Sequence, residues 1–284
     1  MIYCLQSAAK LNITLRVTGR REDGYHELRS LFYRLPSVET LTIEANYDHN
    51  VKNKIIVTGE PVRGRNILED VLALAGEKGS IPRVRVCLHK VIPPGSGLGG
   101  GSGNAAALIS WLNALLGEGN SVPCEEIGSD VPFFLEGGKW ALVGGRGENV
   151  EPFSGDMPLF SVAVVIPSWS MSTSKAFSLL AEEFHSGFPM TIEEAEHERS
   201  QVLEKLKSRR YCGLLPNDFN LVLMRDHPEY RDLFRLFQDI GAVAWGITGS
   251  GGAAFGFFNC EGDRSRLLVK TDRIRWIRKI LFLE

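Results

Sequence analysis

The 284-residue chain is 44% hydrophobic and 23% charged, with a net charge of -2 and a pI of about 6.3, a balance that supports a buried core in one large or two ordinary domains. No overall basic field exists to hold nucleic acid or an anionic membrane, and no apolar run is long enough to span a bilayer. Cys4, Cys87, Cys124, Cys212 and Cys260 are scattered without a CxxC pair; they suggest neither a disulfide framework nor a zinc site, and with no signal-peptide pattern in MIYCLQSAAK the expected location is the cytoplasm.

Leu11, Ile13, Leu15 and Val17 alternate with Lys10, Asn12, Thr14 and Arg16, the period of a half-buried strand whose polar face carries a lysine. GRREDGYHE (19–27) reads as a turn centred on Asp23-Gly24, and VETLTIEA (38–45) and KIIVT (54–58) as further strands. NILEDVLALAG (66–76) has Asn66 three residues before Glu69, which predicts a capping-box helix ending at Gly76. VRVCLHKV (84–91) is a strand running into PPGSGLGGGSGNAA, where six glycines fall between Gly95 and Gly103. Leu108, Trp111, Leu112, Leu115 and Leu116 then repeat at helical spacing, with Ser102 near the start and Gly117 placed to terminate.

GKWALVGG (138–145) and FSVAVVIP (160–167) resume the strand pattern, and EPFSGDMP between them is the expected linker. STSKAFSLLAEEF reads as a helix, the charge-dense TIEEAEHERSQVLEKLKSRR as a solvated helix face and nothing more, and EYRDLFRLFQDIG (229–241) as a helix burying Leu233, Phe234, Leu236, Phe237 and Ile240. ITGSGGAAFGFF (247–258) reads as strand, glycine turn, strand. This mixture predicts an α+β fold in both halves, without internal repeats.

The glycine segment is the first candidate for function. A Walker A loop needs Lys and then Ser or Thr after its last glycine, whereas Ser102-Gly103-Asn104 stands here. Gly95, Gly97 and Gly100 satisfy GxGxxG, but no acidic residue ending a second strand follows, so a dinucleotide fold is not supported. VAIK, HRD and DFG elements of the protein kinases are missing. What stays open is a glycine loop whose backbone N–H groups and helix N-terminus hold phosphate, the phosphate oxygens approaching too closely for Cβ atoms.

PPGSGLGGGSGNAA resembles the ATP loop of the GHMP small-molecule kinases. AAKLNITLRVTGRREDGYHELRSLF (8–32), GSDVPFFLEGG (128–138), GRGENVEP (145–152) and ITGSGGAAFGFF are similar, in this order, to motifs of the GHMP branch that phosphorylates the 2-hydroxyl of a cytidine diphosphate-linked methylerythritol, in the non-mevalonate route to isoprenoid precursors. The DGYH element beside AKLN distinguishes that branch from mevalonate and homoserine kinases. The resemblance implies a two-domain fold: an N-terminal ribosomal protein S5 domain 2-like domain over 1–154 and a ferredoxin-like C-terminal domain over 155–284, with the site in the cleft between them.

By the same resemblance Lys10 lies beside the acceptor hydroxyl and Asp130 is the general base, although alone the first reads as a solvated strand lysine and the second as a helix cap. Asn12 is implied near the methylerythritol hydroxyls. Tyr25 and His26 are implied around the cytosine, His26 by hydrogen bonding, with Phe177 stacked on the opposite face and Thr173 a neighbouring polar contact. Asn66 and Lys90 are implied around the nucleotide base, and Pro93, Pro94, Gly95, Ser96, Gly97, Leu98, Gly99, Gly100, Gly101, Ser102, Gly103 and Asn104 as the phosphate loop. Gly249, Ser250, Gly251 and Gly252 resemble the superfamily's C-terminal motif closing near the reacting phosphates, and alone would be a hairpin turn.

ATP is the implied co-substrate and Mg²⁺ the implied ion, with no protein-ligated metal site indicated; the expected unit is a monomer or weak homodimer. The chain departs from the family pattern at Gly103, where a second serine is usual, and more mildly at Pro94 and Ser96. GEGNSVPCEEI before GSDVPFF is several residues shorter than usual, so a helix supporting Asp130 is expected to be short or missing. A GHMP kinase for another small alcohol, or a catalytically silent nucleotide-binding protein, are the alternatives these departures leave open.

Overall fold

The structure is a computed structural model that describes residues 1–48, 50–117, 119–136, 138–259, 262–271 and 274–283. β1 (Ile2–Arg20) runs antiparallel to β2 (His26–Asn46) along its whole length. The turn between them forms where Asp23-Gly24 predicts it: Gly24 has φ 85°, and Asp23 Oδ1 accepts the Tyr25 N–H at 3.1 Å. Midway, the register shifts between Ser7/Glu39 and Ala9/Leu35, and Ser37 takes φ 51°, a local irregularity that lets β2 change neighbours. Before it β2 pairs with β5 (Trp140–Gly145); after it, with β4 (Arg83–Lys90). β3 (Lys54–Gly59) lies parallel on β4 and β6 (Asn149–Phe153) antiparallel on β5.

Helices α1 (Ile67–Lys78), α2 (Gly100–Leu116) and α4 (Val131–Leu135) cover one face of this sheet, with Leu41, Ile43, Val86, Leu108, Leu112 and Phe133 in the shared core. The start of α1 is simpler than a capping box. Asn66 Oδ1 accepts the Leu68 N–H at 3.0 Å while the Glu69 carboxylate lies 4.0 Å from Arg65, and the helix runs past Gly76 to Lys78, because Gly76 has a solvent-facing place that costs only helix propensity. A four-residue α3 (Cys124–Ile127) precedes α4, so the shortened segment keeps one helical turn.

The expected linker is shorter than EPFSGDMP, since Glu151, Pro152 and Phe153 pair in β6. Residues 154–160 then lead to a second sheet of β7 (Ser161–Pro167), β8 (Gly213–Leu214), β9 (Ala244–Ile247), β10 (Ala254–Phe258) and β11 (Ile277–Leu283), in the order β11-β7-β10-β9-β8. β7, β9, β10 and β11 pair antiparallel throughout. Their order is the split βαβ arrangement of a ferredoxin-like sheet, with β8 added parallel at the edge. Helices α5 (Thr173–Glu183), α6 (Ile192–Lys207), α7 (Asn220–Asp226), α8 (Glu229–Asp239) and α9 (Gly262–Thr271) complete the half.

Alternation along β7 and β10 shows why the second sheet is central. Val162, Val164, Phe255 and Phe257 pack against Leu11, Ile13, Leu31 and Tyr33 of the first sheet, whereas Ala163, Val165, Ala254 and Phe258 face α5, α7 and α8. Both faces are buried, so the strands are continuously apolar. Leu233, Phe234, Phe237 and Ile240 are buried as the spacing predicts, Leu236 is half-buried, and Tyr230, which the pattern did not single out, is buried with them.

The charge-dense helix is more than a solvated face. On α6, Glu198 binds Arg16 of β1 in a bidentate pair at 2.7 and 2.7 Å, Glu196 binds Arg29 of β2 at 2.9 Å, and Leu203 and Leu206 enter the inter-sheet core. Arg16 also bonds Asp218, whose other oxygen accepts the Val17 N–H at 2.8 Å. These pairs tie the first sheet to α6 and to the segment that precedes α7. Cys4, Cys87, Cys124 and Cys212 are free thiols, and Cys260 lies outside the described residues. Among the described residues no helix is long and apolar enough to cross a membrane.

Candidate active site

Between β4 and α2 the chain passes through Gly95, Gly97 and Gly99 at φ 77°, 85° and 64°, values that a side chain would strain. What lies against these glycines is chiefly protein. A Cβ on Gly97 would stand 2.3 Å from the Thr248 carbonyl oxygen, one on Gly99 3.0 Å from Lys10 Cγ, one on Gly100 3.1 Å from Lys90 Nζ, and one on Gly103 2.0 Å from the Ala8 carbonyl oxygen. Gly95 would meet Met171 O at 3.5 Å, and only Gly101 opens onto free space. The sequence reading, in which phosphate excludes every side chain, is therefore corrected: most of these glycines permit close approach of the chain to itself.

The departure at Gly103 gains a reason at the same time. It sits in the first turn of α2 against β1, where a serine Cβ would overlap backbone, so its effect is close helix-to-strand packing. Leu98 is likewise turned away from the cleft, fully buried in the inter-sheet core, with its carbonyl accepting the Lys10 N–H at 2.9 Å. The end of α2 itself is open. Gly103 N–H is its first to bond within the turn, to Gly99 O at 2.9 Å, which leaves the N–H groups of Gly100, Gly101 and Ser102 free of the helix's own ladder.

A second glycine loop, between β9 and β10, interlocks with the first. Ala253 N–H donates to Ser96 O at 3.0 Å, and a Cβ on Gly251 would stand 2.1 Å from Gly97 N. Buried Asn217 holds this loop from below, donating to Ile247 O at 2.8 Å and Gly249 O at 3.2 Å, and Thr248 Oγ1 accepts the Asn12 N–H at 2.9 Å. Neither Asn217 nor Thr248 was singled out from sequence; Thr248, inside ITGSGG, was the legible one.

Lys10 and Asp130 meet over Gly99. Lys10 Nζ lies 3.6 Å from Asp130 Oδ2, donates to Asn12 Oδ1, and stands 4.9 Å from the Phe32 ring centroid. Burial pushes the Lys10 ammonium below an ordinary lysine pKa, and Asp130 opposes that shift. Asp130 is the partly exposed member of the pair and precedes α4 without capping it through its side chain. Gly147 backs the carboxylate, since a Cβ there would come within 3.4 Å of Asp130 Oδ1. Asn12 is fixed by Ser30 Oγ, which accepts from its Nδ2 at 3.1 Å.

Lys90 behaves differently. Its Nζ donates to Glu39 Oε2 at 2.7 Å and Asn104 Oδ1 at 3.0 Å, while Asn104 Nδ2 donates to Glu39 Oε2 at 2.8 Å and Ser7 Oγ at 2.9 Å. Lys90 and Asn104 border the cleft, but their polar atoms are turned into this buried network around Glu39, a residue hidden in the strand pattern of VETLTIEA. Asn66 borders the same end of the cleft while its Oδ1 caps α1.

At the other end His26 stacks on Phe177, with ring centroids 4.3 Å apart and planes 17° from parallel, and Phe177 meets Phe219 edge-on at 5.0 Å. The resemblance implies that His26 hydrogen-bonds the cytosine and Phe177 stacks on its opposite face; in this structure the two rings cover each other, the β1–β2 turn and α5 closing from opposite sides. Tyr25 is half-exposed, with the Arg146 guanidinium 4.9 Å from its ring centroid. Thr173 Oγ1 accepts from Ser250 Oγ at 3.4 Å, joining α5 to the second glycine loop. Burial and nearby Arg20 push the His26 pKa below its ordinary value, so the neutral ring is favoured.

One cleft of about 980 Å³ joins these parts. Lys10, Arg20, Arg65, Lys90 and Arg146 line it with Asp130; Lys90 is matched by Glu39, Arg65 by Asp70 and Lys10 by Asp130, so among the described residues the excess positive charge offered to an anionic ligand comes from Arg20 and Arg146. Among the described residues no three His, Cys, Asp or Glu side chains are grouped to hold a metal ion.

Comparison with known proteins agrees with this arrangement. Residues 66–138 match the GHMP kinases N terminal domain, and residues 192–272 the GHMP kinases C terminal domain. A 4-diphosphocytidyl-2-C-methyl-D-erythritol kinase of Thermotoga maritima is 36% identical over 89% of this chain and 91% of its own length. The enzyme of the same name from Pseudomonas aeruginosa is 32% identical over 97% of this chain and 93% of its own. A crystal structure of 4-(cytidine 5'-diphospho)-2C-methyl-D-erythritol kinase superposes with a TM-score of 0.75 at 28% identity, covering 100% of this chain and 98% of that one.

Proposed function

The chain belongs to the 4-diphosphocytidyl-2-C-methyl-D-erythritol kinase family of GHMP kinases, and from that premise we propose that it transfers the γ-phosphoryl group of ATP to the 2-hydroxyl of 4-diphosphocytidyl-2-C-methyl-D-erythritol. The observation that carries the reading is the Lys10–Asp130 pair at 3.6 Å, set over Gly99 at the open N-terminus of α2. The two halves, 1–154 and 155–284, are taken as the domains. The working unit is taken as a monomer or weak homodimer.

In this mechanism Asp130 accepts the hydroxyl proton as that oxygen attacks the γ-phosphorus, and the bond to the bridging oxygen breaks with ADP leaving. Lys10 donates to the attacking oxygen and balances its charge, while Asn12 holds the Lys10 ammonium and the neighbouring polyol hydroxyls. The N–H groups of Gly100, Gly101 and Ser102 and the positive end of α2 hold the phosphates. Tyr25, His26, Phe177 and Thr173 receive the cytosine, the base separating or flanking the His26–Phe177 stack. Lys90 and Asn104 support the loop through Glu39, and Asn66 borders the adenine end. Mg²⁺ would enter with the ATP substrate and would offset phosphate charge there; no residue of the chain is assigned to hold it.

The test is turnover of the purified chain with ATP and Mg²⁺ on the cytidylyl substrate, mevalonate and homoserine in parallel. Phosphorylation of the cytidylyl substrate alone is expected. Turnover only of mevalonate or homoserine would overturn the substrate assignment, and tight ATP binding with no phosphoryl transfer would make the chain a nucleotide-binding protein.

A further inference from the structure

Resting on that kinase reading, we propose that Arg146 is a specificity-determining residue that holds the diphosphate of the acceptor substrate. The acceptor carries two anionic phosphates between an aromatic base and a polyol, so a cation is required between the aromatic end of the cleft and Asp130. Arg146 occupies that interval. Its guanidinium lies 4.9 Å from the Tyr25 ring centroid, and the next residue, Gly147, lies against Ser129 and Asp130.

Its state of pairing separates it from neighbouring arginines. Arg16 is bound by Glu198 and Asp218, Arg21 lies within 3.1 to 3.5 Å of Asp23, Glu27 and Glu148, and Arg29 is bound by Glu27 and Glu196. Among the described residues Arg146 has no carboxylate within ion-pair distance. Its Nη2 donates to the backbone oxygen of Glu125 at 3.1 Å and its face rests toward Tyr25, which orients the fork; the nearby Asp23 carboxylate feels its charge without contacting it, and the fork keeps donors unused by any carboxylate among the described residues. Arg20, which lines the cleft beside His26 and also lacks a carboxylate partner among the described residues, adds positive potential at the base end. A guanidinium preoriented by an aromatic face and one carbonyl, with donors to spare, suits a bidentate phosphate contact.

The experiment compares the wild-type chain with Arg146→Gln, which keeps an amide donor for Glu125, and Arg146→Lys, which keeps the charge without the fork. Calorimetry measures binding of cytidine diphosphate and of cytidine, and steady-state kinetics gives KM for acceptor and for ATP. Arg146→Gln is expected to weaken cytidine diphosphate and raise acceptor KM by about 10- to 100-fold, the scale of a charge-assisted hydrogen bond. Cytidine affinity, KM for ATP and kcat should stay near wild type, and Arg146→Lys should recover part of the loss. Equal weakening of cytidine and cytidine diphosphate would overturn the assignment in favour of a packing role at Tyr25. A fall in kcat without a change in acceptor KM would overturn it in favour of support for α3. A wild-type chain that binds neither compound would overturn the kinase reading and this assignment together, whereas wild-type binding unaffected by Arg146→Gln would remove Arg146 alone.

Discussion

Replacing Gly251 by alanine tests whether the interlocked glycine loops set the geometry of the site. The new Cβ would stand 2.1 Å from Gly97 N, 2.4 Å from the Ser96 carbonyl carbon and 2.6 Å from Gly95 O. All three are backbone atoms, so no side chain can swing away. Restoring an ordinary contact of about 3.4 Å to Gly97 N requires the loops to part by about 1.3 Å. That separation breaks the Ala253 N–H to Ser96 O bond, worth about 1 kcal/mol, and adds about 1–3 kcal/mol of overpacking strain. At about 2–4 °C per kcal/mol, thermal unfolding should begin several degrees lower. A displacement near 1 Å at the reacting centre costs about 10²-fold in rate, because Gly97 and Gly99 belong to the same loop and Gly99 carries the Lys10–Asp130 meeting point. Calorimetry and a coupled ADP-release assay read both effects. Gly101→Ala is the comparison for stability, since its Cβ would meet nothing within 4 Å. A Gly251→Ala chain that melts and turns over like wild type would refute the interlock as a determinant of site geometry.

Asp130→Asn should lower kcat by about 10²–10⁴-fold with the melting temperature and ATP affinity retained, which separates loss of a base from the structural damage expected at Gly251; wild-type turnover would remove Asp130 from proton transfer. Glu39→Gln leaves the buried Lys90 ammonium without its carboxylate, and the expected loss is about 3–5 kcal/mol of stability in denaturant melts. An unchanged midpoint would show that Lys90 is adequately held by Asn104. The pH dependence of kcat/KM should show an alkaline limb below the ordinary lysine pKa of about 10.4, because burial lowers the Lys10 pKa and its charge is therefore lost earlier as pH rises; a rate flat to that value would separate the Lys10 charge from catalysis.

The periodicities were sufficient for the sheets and their neighbours wherever one face is buried. Alternation at Leu11, Ile13, Leu15 and Val17 marks β1, and the 3.6-residue spacing through Leu108 and Leu112 marks α2, because the same apolar faces form the cores. Short or late elements were not legible: β8 is two residues long and β11 is charged at Arg278 and Lys279, so their existence depends on a neighbouring strand edge. The same holds for the site. Lys10, Asp130, Tyr25 and His26 come to one cleft, but Glu39 and Asn217 carry no local signal, and Arg146, though inside GRGENVEP, was not singled out. Each is defined by partners 21 to 65 residues away, such as Asn104 for Glu39 and Glu125 for Arg146. The helix α6 misled for a related reason, since Glu196 and Glu198 look solvated until Arg29 and Arg16 are placed beside them.

The two buried lysines show how the cleft distinguishes a supporting charge from a reacting one. Both suffer the desolvation that lowers a lysine pKa, and both have a carboxylate partner. Lys90 is saturated: Glu39 lies 2.7 Å away, Asn104 accepts a second bond, and Glu39 itself takes the N–H groups of Val91 and Ile92 at 2.8 and 2.7 Å. A ligand phosphate could draw on that ammonium only by dismantling a network that fixes the end of β4 and the side of α2. Lys10 is held more loosely, with one amide oxygen as a hydrogen-bond partner, a carboxylate at 3.6 Å and an aromatic face at 4.9 Å. An ammonium has three donors, so Lys10 retains capacity directed to the side where Asp130 is partly exposed. A hydroxyl oxygen placed there can accept from Lys10 while donating its proton to Asp130. Gly99 is what keeps that place narrow enough to be shared, since a Cβ at 3.0 Å from Lys10 Cγ and 3.4 Å from Asp130 Oδ2 would drive the two apart.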